Sequence, residues 1–452
     1  MKIDIKNQDE RRDCVVIGGG SAGWVAAVAA ARAGARVLLV ERYGYLGGTA
    51  AGVMLGSFGG LYARETREQH IFGIADELME RLRVYGGSLG VIPEGWTGGG
   101  TPYDKELLKN VALEMALEAG VELLLHTQFV DTIVEDGRVT GVVVAAKDGL
   151  HHIPASVVID ATGDGDVFAA AGADYDKGAG SGKLQPTTMM FKLGDVDTAA
   201  VLAYARANPD KVSTSADLSG IPTTLGGFAE QVAEAVAAGE YTPNMDRLAI
   251  QFTLREREVI MNMLHTTGVD GTDPWSLTRS EVEGRMQVLG AVEMLRKRVP
   301  GFADAYLIET GIQAGTRESR RLIGEHVLTR EEIMAGTRFA DAVVTTTGRM
   351  SYHDPDGKHQ TTVTVLQQPY QVPYRCLVPR DIDGLLVAGR CVSTDHAGLS
   401  TVRSAGVALA LGEAAGTAAA FAARDGIAPR AIDVAELQAR LGMRNARDHV
   451  DA

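Results

Sequence analysis

The chain has 452 residues, 45% hydrophobic and 23% charged, a globular composition long enough for two domains. A formal charge of -14 without Lys/Arg runs speaks against nucleic acid or an anionic membrane surface as the main partner. Three cysteines, Cys14, Cys376 and Cys391, show no Cys-x-x-Cys pair and no metal-ligand spacing, so disulfides, iron–sulfur ligation and a metal site are not expected. The N-terminal "MKIDIKNQDERRD" has no apolar segment and no long unbroken apolar run follows, so neither a signal peptide nor a membrane span is expected and a cytoplasmic location fits.

The first element is the apolar run "CVVI", which reads as a central strand of a parallel sheet. Gly18-Gly19-Gly20-Ser21-Ala22-Gly23 follows, then the helix-forming "WVAAVAAARA" up to Gly34, then a second strand, "RVLLV", ending at Glu41. Strand, glycine turn, helix and strand, with an acidic residue about twenty positions on, form a dinucleotide-binding fingerprint. In it Gly18 permits the tight turn, Gly20 lets a pyrophosphate reach the backbone, and Gly23 lets the helix lie on the strand. The free N–H groups near Ser21, Ala22 and Gly23 face the phosphates, and Glu41 accepts hydrogen bonds from a ribose. Arg42 suits a 2′-phosphate, which Glu41 would repel. A second glycine turn, Gly47-Gly48-Thr49, is unnecessary for a nicotinamide cofactor and useful for an extended flavin nucleotide.

A helical run, "KELLKNVALEMALEAG", leads into β-rich segments separated by Asp136-Gly137 and Asp148-Gly149, an antiparallel meander with tight turns in which Val130 is a candidate cofactor contact. It returns through the apolar "SVVID" to the turn Ala161-Thr162-Gly163-Asp164. "KGAGSGKL" has the wrong spacing for a phosphate loop and reads as a connector, and no second glycine fingerprint follows. Helical runs, "GFAEQVAEAVAAG" and "TRSEVEGRMQVLGAVEMLRKRV", occupy the middle of the chain. In "TRESRRLIGEH", Arg317 and Arg320 share one side if the run is helical, with Arg320 the first choice for an inward role and Arg321 facing solvent. Near the C-terminus, "GLLVAG" is a strand ending in the turn Gly389-Arg390, and Ser400 or Thr401 caps a long small-residue helix.

The pieces "IGGGSAG", "VERYGYLGG", "VVIDATGDGDV", "QPTTMMFKLG", "GTRESRRLIGEHVLT" and "PYRCLVPRDIDGLLVAGRCVSTDHAGLSTVRSAGVALALGEAAGTAAAFAA" together resemble the FAD-dependent oxidoreductases of the glutathione-reductase-type FAD-binding fold. The likeness runs over nearly the whole chain and is more distantly similar to succinate dehydrogenase and fumarate reductase flavoproteins. It implies an α/β fold: a Rossmann-like FAD-binding domain, with a parallel sheet and antiparallel β-meander, plus an inserted α+β substrate or cap domain. The expected division is 12–175 and 372–426 for the FAD domain, 176–371 for the cap and 427–452 for a tail. Fumarate reductases place a His and an Arg in the final connector to grip a dicarboxylate, at a shorter spacing than His396 and Arg403 here.

The Gly47–Gly59 segment offers no histidine for a covalent flavin bond of the succinate dehydrogenase kind, so non-covalent FAD is expected, and the resemblance implies hydride transfer with a small organic substrate, an alcohol, amine or saturated carbon beside an activating group. Oxidation is favoured over reduction, and oxygen or an unidentified carrier takes the electrons. His396 is the expected proton acceptor or donor, and Arg403, Arg320 and Arg317 the expected anchors. The alternatives are an NAD(P)H-dependent flavin monooxygenase, an electron-transfer flavoprotein and a tRNA-modifying one, the last without the basic face it needs. Oligomeric state is left open, a homo-oligomer included.

Overall fold

The computed structural model describes residues 5–7, 10–63, 68–92, 100–179, 182–214, 218, 222–242, 245–355 and 361–443. The FAD-type domain is built from β1 (Arg12–Ile17), α1 (Ser21–Arg32), β2 (Val37–Val40), α2 (Lys105–Glu118), β3 (Glu122–Leu124), β4 (Gln128–Glu135), β5 (Arg138–Ala146), β6 (Gly149–Asp160), β7 (Leu385–Val387) and α3 (Ala405–Asp425). All four side chains of the "VLLV" in β2 are buried, as in a strand covered on both faces. In sheet order β3, β2, β1, β6 and β7 run parallel.

β6 belongs to two structures at once. Its first half pairs antiparallel with β5, from Ala146 opposite Gly149 to Gly141 opposite Pro154, and its second half pairs parallel with β1, from Ala155 to Asp160. The meander and the parallel sheet therefore share one strand, and the expected hairpin at Asp136-Gly137 closes with both residues at positive φ.

α3 is long and apolar enough to cross a membrane by length and composition, but it is buried inside the fold. It packs on α1 through glycines: a Cβ at Gly412 would lie 2.2 Å from the Ala22 carbonyl oxygen, and one at Gly416 would lie 2.0 Å from that of Ala26. The small residues thus bring two helix backbones into contact beneath the first glycine turn. Its N-cap is Ser404, after a short helix Leu399–Val402, so the cap expected at Ser400 or Thr401 falls one turn later.

The segment expected to form the cap divides between two cores. One is lined by residues from Met189 to Ala314, where six antiparallel strands pack against the helix Pro274–Arg298 through Val288, Ala291 and Leu295. Asp273 caps that helix and Pro274 starts it. Leu322, Leu328, Val344, Tyr370 and Val372 instead join the core of the FAD-type domain. Within the expected tail, Val434–Arg440 is a helix with Leu437 buried, while residues 444–452 lie outside the described residues.

Because no side chain fits between α1 and α3, Gly416→Val is expected to destabilise the protein by about 1–3 kcal/mol. The check is a lower midpoint of urea unfolding at unchanged slope; an unchanged midpoint would show that the helices can separate without cost.

Candidate functional site

A cavity of about 840 Å³ opens at the C-terminal ends of β1, β2, β6 and β7 and extends to the cap sheet, whose Thr188, Met190, Gln251 and Asn262 line its far wall. This is where an open α/β sheet binds ligands, and the volume is that of a cofactor or substrate cleft. Gly18 makes the turn at φ +97°, and a Cβ there would sit 2.6 Å from the Ala161 carbonyl oxygen. Gly20 differs: a Cβ there would meet no protein atom closer than 4.0 Å, and the residue lines the cavity. Glycine at this position leaves room for what enters, not for the protein's own packing.

Gly20 is also the N-cap of α1 and gives it no side-chain cap, so the first N–H groups of the helix, at Ser21 and Ala22, remain for a ligand. Glu41 is buried at the cavity wall and accepts from the N–H groups of Gly19 at 2.5 Å and Tyr43 at 2.8 Å. Burial pushes its carboxyl above the ordinary range, and those N–H groups oppose the shift. Gly23 does not reach the cavity; its Cβ position falls 1.7 Å from the Gly18 oxygen, which is why helix and turn can touch. Gly47 holds the second turn to the first by donating to Gly19 O at 2.9 Å, and Gly48 and Thr49 line the cavity.

Ala161, Thr162, Gly163, Asp164, Gly389, Ser400 and Thr401 all line it as well. Asp160 beneath them is fully buried and accepts from Thr162, Val167 and Phe168; burial pushes its carboxyl up to about 6. Arg390 and Asp164 meet each other at 2.6 Å, and Arg390 also donates to Ser319 Oγ at 2.8 Å, so this pair braces the rim. Arg42 lines the wall and donates to Gln313, which also accepts from Tyr43 Oη. Val130 is a correction. A register shift between Phe129 and Asp131 leaves it exposed on the outer face, and Thr127, Gln128 and Phe129 line the cavity instead.

The expected catalytic residues separate. Arg403 and Arg317 both line the cavity, whereas Arg320 and His396 do not. Arg320 is drawn away by Asp166 at 2.9 Å and by the Asp164 and Gly165 carbonyls. Arg321, expected in solvent, is completely buried and pairs with Glu318. His396 Nδ1 lies 2.6 Å from the same Glu318 carboxylate, while its Nε2 is buried without a partner among the described residues. Glu318 therefore holds the connector rather than presenting His396 to the cavity.

At the cavity's cap side a cationic cluster forms. Arg317 is buried and donates to Pro186 O at 2.6 Å, and Arg403 donates to Ser351 O at 3.1 Å with its Nε unpartnered among the described residues. Burial, reinforced by Arg403, pushes the Arg317 guanidinium down to about 9; burial, with Arg390 beside it, pushes Arg403 down to about 10. His353 lines the same wall, packed edge-on against His265, and burial together with Arg317 and Arg403 holds its proton affinity far below the ordinary histidine value.

Arg349, Ser351 and His353 alternate along the strand Arg349–His353, and all three line the cavity. Sequence reasoning passed over them. The signal is present, a period-two R-x-S-x-H run before the turn formers Asp354-Pro355-Asp356-Gly357, but it is short and surrounded by polar residues.

Residues 13–441 match the family model described as FAD dependent oxidoreductase. Over 164 residues the chain is 37% identical to the thiamine thiazole synthase of Aeropyrum pernix, covering 34% of this chain and 55% of that one. Over 159 residues it is 36% identical to digeranylgeranylglycerophospholipid reductase 1 of Methanopyrus kandleri, covering 33% of this chain and 39% of that one. The matched region is thus less than two thirds of either relative. A solved structure of a geranylgeranyl bacteriochlorophyll reductase-like protein from Thermoplasma acidophilum shares the fold, with a TM-score of 0.51 and 13% identity over 99% of this chain and 86% of that one.

The open Cβ position at Gly20 gives a direct check on the cofactor. Gly20→Val is expected to keep the unfolding midpoint of the parent and to lose most of the flavin absorbance near 450 nm that co-purifies with it. Full flavin content in this variant would place the phosphates elsewhere.

Proposed function

The chain belongs to the FAD dependent oxidoreductase family, and on that premise we propose that it oxidises a small organic acid, at an alcohol, amine or saturated carbon beside the carboxylate, by hydride transfer to FAD. The observation that carries the reading is the pair Arg317 and Arg403, cavity-lining guanidinium groups whose hydrogen-bond partners among the described residues are single backbone carbonyls. A buried cation without a matched anion is costly, and a ligand carboxylate relieves that cost while forming charge-assisted hydrogen bonds. The overall charge of -14 makes the cluster a local exception that selects for anions at the cavity alone.

FAD, when bound, supplies the two-electron centre. The chain's own residues divide the remaining work. The N-terminus of α1 and the open face at Gly20 would hold the pyrophosphate, and Glu41, with lone pairs beyond those used by Gly19 and Tyr43, would hold a ribose. The N-terminus of α3, lined by Ser404 and Ala405 at the cavity, favours negative charge beside it. Arg317 and Arg403 orient the substrate carboxylate. His353 takes over the proton role expected of His396. Its imidazole is neutral, and an anion placed between it and the two guanidinium groups raises its proton affinity, so proton acceptance follows substrate binding.

Anaerobic mixing of the purified holoprotein with a panel of hydroxy acids, amino acids and saturated acids should bleach the flavin, and the matching amides should not. Arg403→Met and Arg317→Met should each slow bleaching at low substrate at least tenfold with flavin content retained. Equal bleaching by acids and amides, or no effect of either substitution, would overturn the reading. Oxygen consumption that requires NAD(P)H would favour a monooxygenase instead.

The pH dependence has a defined sign. Both guanidinium pKa values are lowered but stay above neutrality, so the cluster is charged at neutral pH and loses charge as the pH rises through about 9 for Arg317 and about 10 for Arg403. Acid affinity, measured as the concentration giving half-maximal bleaching rate, is expected to be flat from about pH 6 to 8 for a fully ionised acid and to weaken above about pH 9.

A further inference from the structure

The helix Pro274–Arg298 buries one face in the cap core and leaves another bare. Trp275 is 81% exposed, Val282 57%, Met286 61% and Leu289 57%. Together with the exposed Arg279, Glu293 and Arg296 they repeat at alternating steps of four and three residues, the spacing of a helix–helix seam. Ordinary surface hydrophobics are scattered singly; a large apolar stripe at seam spacing needs an occupant.

We propose that this stripe pairs with the same stripe of a second copy of the chain, antiparallel, about a two-fold axis at Met286. The sequence of the helix is self-complementary in that register and in detail. Met286 meets its own copy, and Leu289 flanks it, opposite the aliphatic stem of Glu283 of the second copy, whose carboxylate is turned to Arg279. Val282 falls opposite Gly290 of the second copy. Gly290 has no intrachain reason to be glycine: an added Cβ there would meet nothing within 4 Å, and a glycine weakens an exposed helix relative to alanine. A facing helix supplies the reason, since a missing side chain lets the backbones approach.

Arg279 falls opposite Glu293 of the second copy. Within one chain Arg279 pairs with Glu283 on the next turn and donates to the Thr267 and Gly268 carbonyls, and no partner of Glu293 is seen among the described residues. The pairing therefore completes an acid–base–acid triad twice, once on each side of the axis. Trp275 falls opposite the exposed Lys297, an arrangement for a cation on an aromatic face. A parallel pairing would instead set Arg279 against Arg279 and Glu293 against Glu293. An isologous contact of this kind closes on itself and leaves no open filament. A seam one helix wide buries less than the roughly 800 Å² per partner of a standard interface, so association at micromolar concentration is expected.

Sedimentation of the flavin-loaded protein from roughly 1 to 50 µM tests the proposal. The expected mass rises from 47.8 kDa towards twice that value. Met286→Glu should remain at the monomer mass with flavin content unchanged, and Arg279→Glu should weaken association at least tenfold. Arg279→Glu combined with Glu293→Arg should restore it. Met286→Cys should give a disulfide-linked dimer under mild oxidation, because Cys14, Cys376 and Cys391 are all buried and do not compete. A monomer at the highest concentration overturns the proposal, as does a dimer indifferent to Met286→Glu. Flotation with neutral or anionic lipid vesicles that Met286→Glu abolishes, without self-association, would also overturn it by assigning the stripe to a membrane.

Discussion

Everything at this site follows from a contact that no side chain can enter. Where α1 leaves β1, its first turn lies directly on Gly18 and on the end of β6, with Cβ positions at Gly18 and Gly23 falling 2.6 Å and 1.7 Å from carbonyl oxygens. That approach turns the free N–H groups of α1 outward over the edge of the sheet, where water or a ligand must satisfy them. α3 repeats the device from below, its Gly412 and Gly416 seated on Ala22 and Ala26. Two helix N-termini consequently open on one cavity, and both favour negative charge there.

The electrostatics on the opposite wall extend the same preference by other means. The acidic side chains near the cluster are spent elsewhere: Glu318 on Arg321 and His396, Asp164 on Arg390, Asp166 on Arg320. These pairs rigidify the connectors, and Glu318 acts on Arg403 through space without a hydrogen bond to it. Arg320 and His396 look more reactive in sequence because they stand in characteristic motifs. In the fold Arg320 and His396 are held by carboxylates away from the cavity, while Arg317 and Arg403, bonded to backbone carbonyls, line it.

The legible part of the sequence is the part governed by short-range rules. Gly18 to Glu41 reads correctly as strand, turn, helix and strand because each residue's role is fixed by neighbours within one βαβ unit. Asp136-Gly137 reads as a hairpin for the same reason. The family match over residues 13–441 bears out FAD and the oxidoreductase class read from these motifs. What could not be read depends on contacts between distant segments. Val130 sits where a bulge shifts the pleat, a change invisible to period-two reasoning. The run containing Arg317, Arg320 and Arg321 has arginines at helical spacing, yet Arg320–Leu322 is a strand, paired with Tyr175–Lys177. Alternation then sends Arg320 and Arg321 to opposite faces. The hairpin carrying Arg349, Ser351 and His353 packs with the FAD-type core although it lies in the sequence assigned to the cap.

The cap helix Pro274–Arg298 links the cavity to the exposed stripe. Pro274, Leu277 and Glu281 line the cavity, while Glu281 accepts from Ala314 N at 2.7 Å and Arg285 donates to the carbonyls of Gly311 and Ile312. The segment so fixed, Gly311 to Ala314, leads within three residues to Arg317. One flank of the helix thus sets the position of a guanidinium group at the cavity, and the face next to it carries the stripe centred on Met286. A helix held from both sides loses the freedom to tilt, and Arg317 inherits that constraint through two short hydrogen-bonded links. Association of two chains along this helix would bear on how tightly the anion site is preorganised even though no residue of the stripe's centre reaches the cavity.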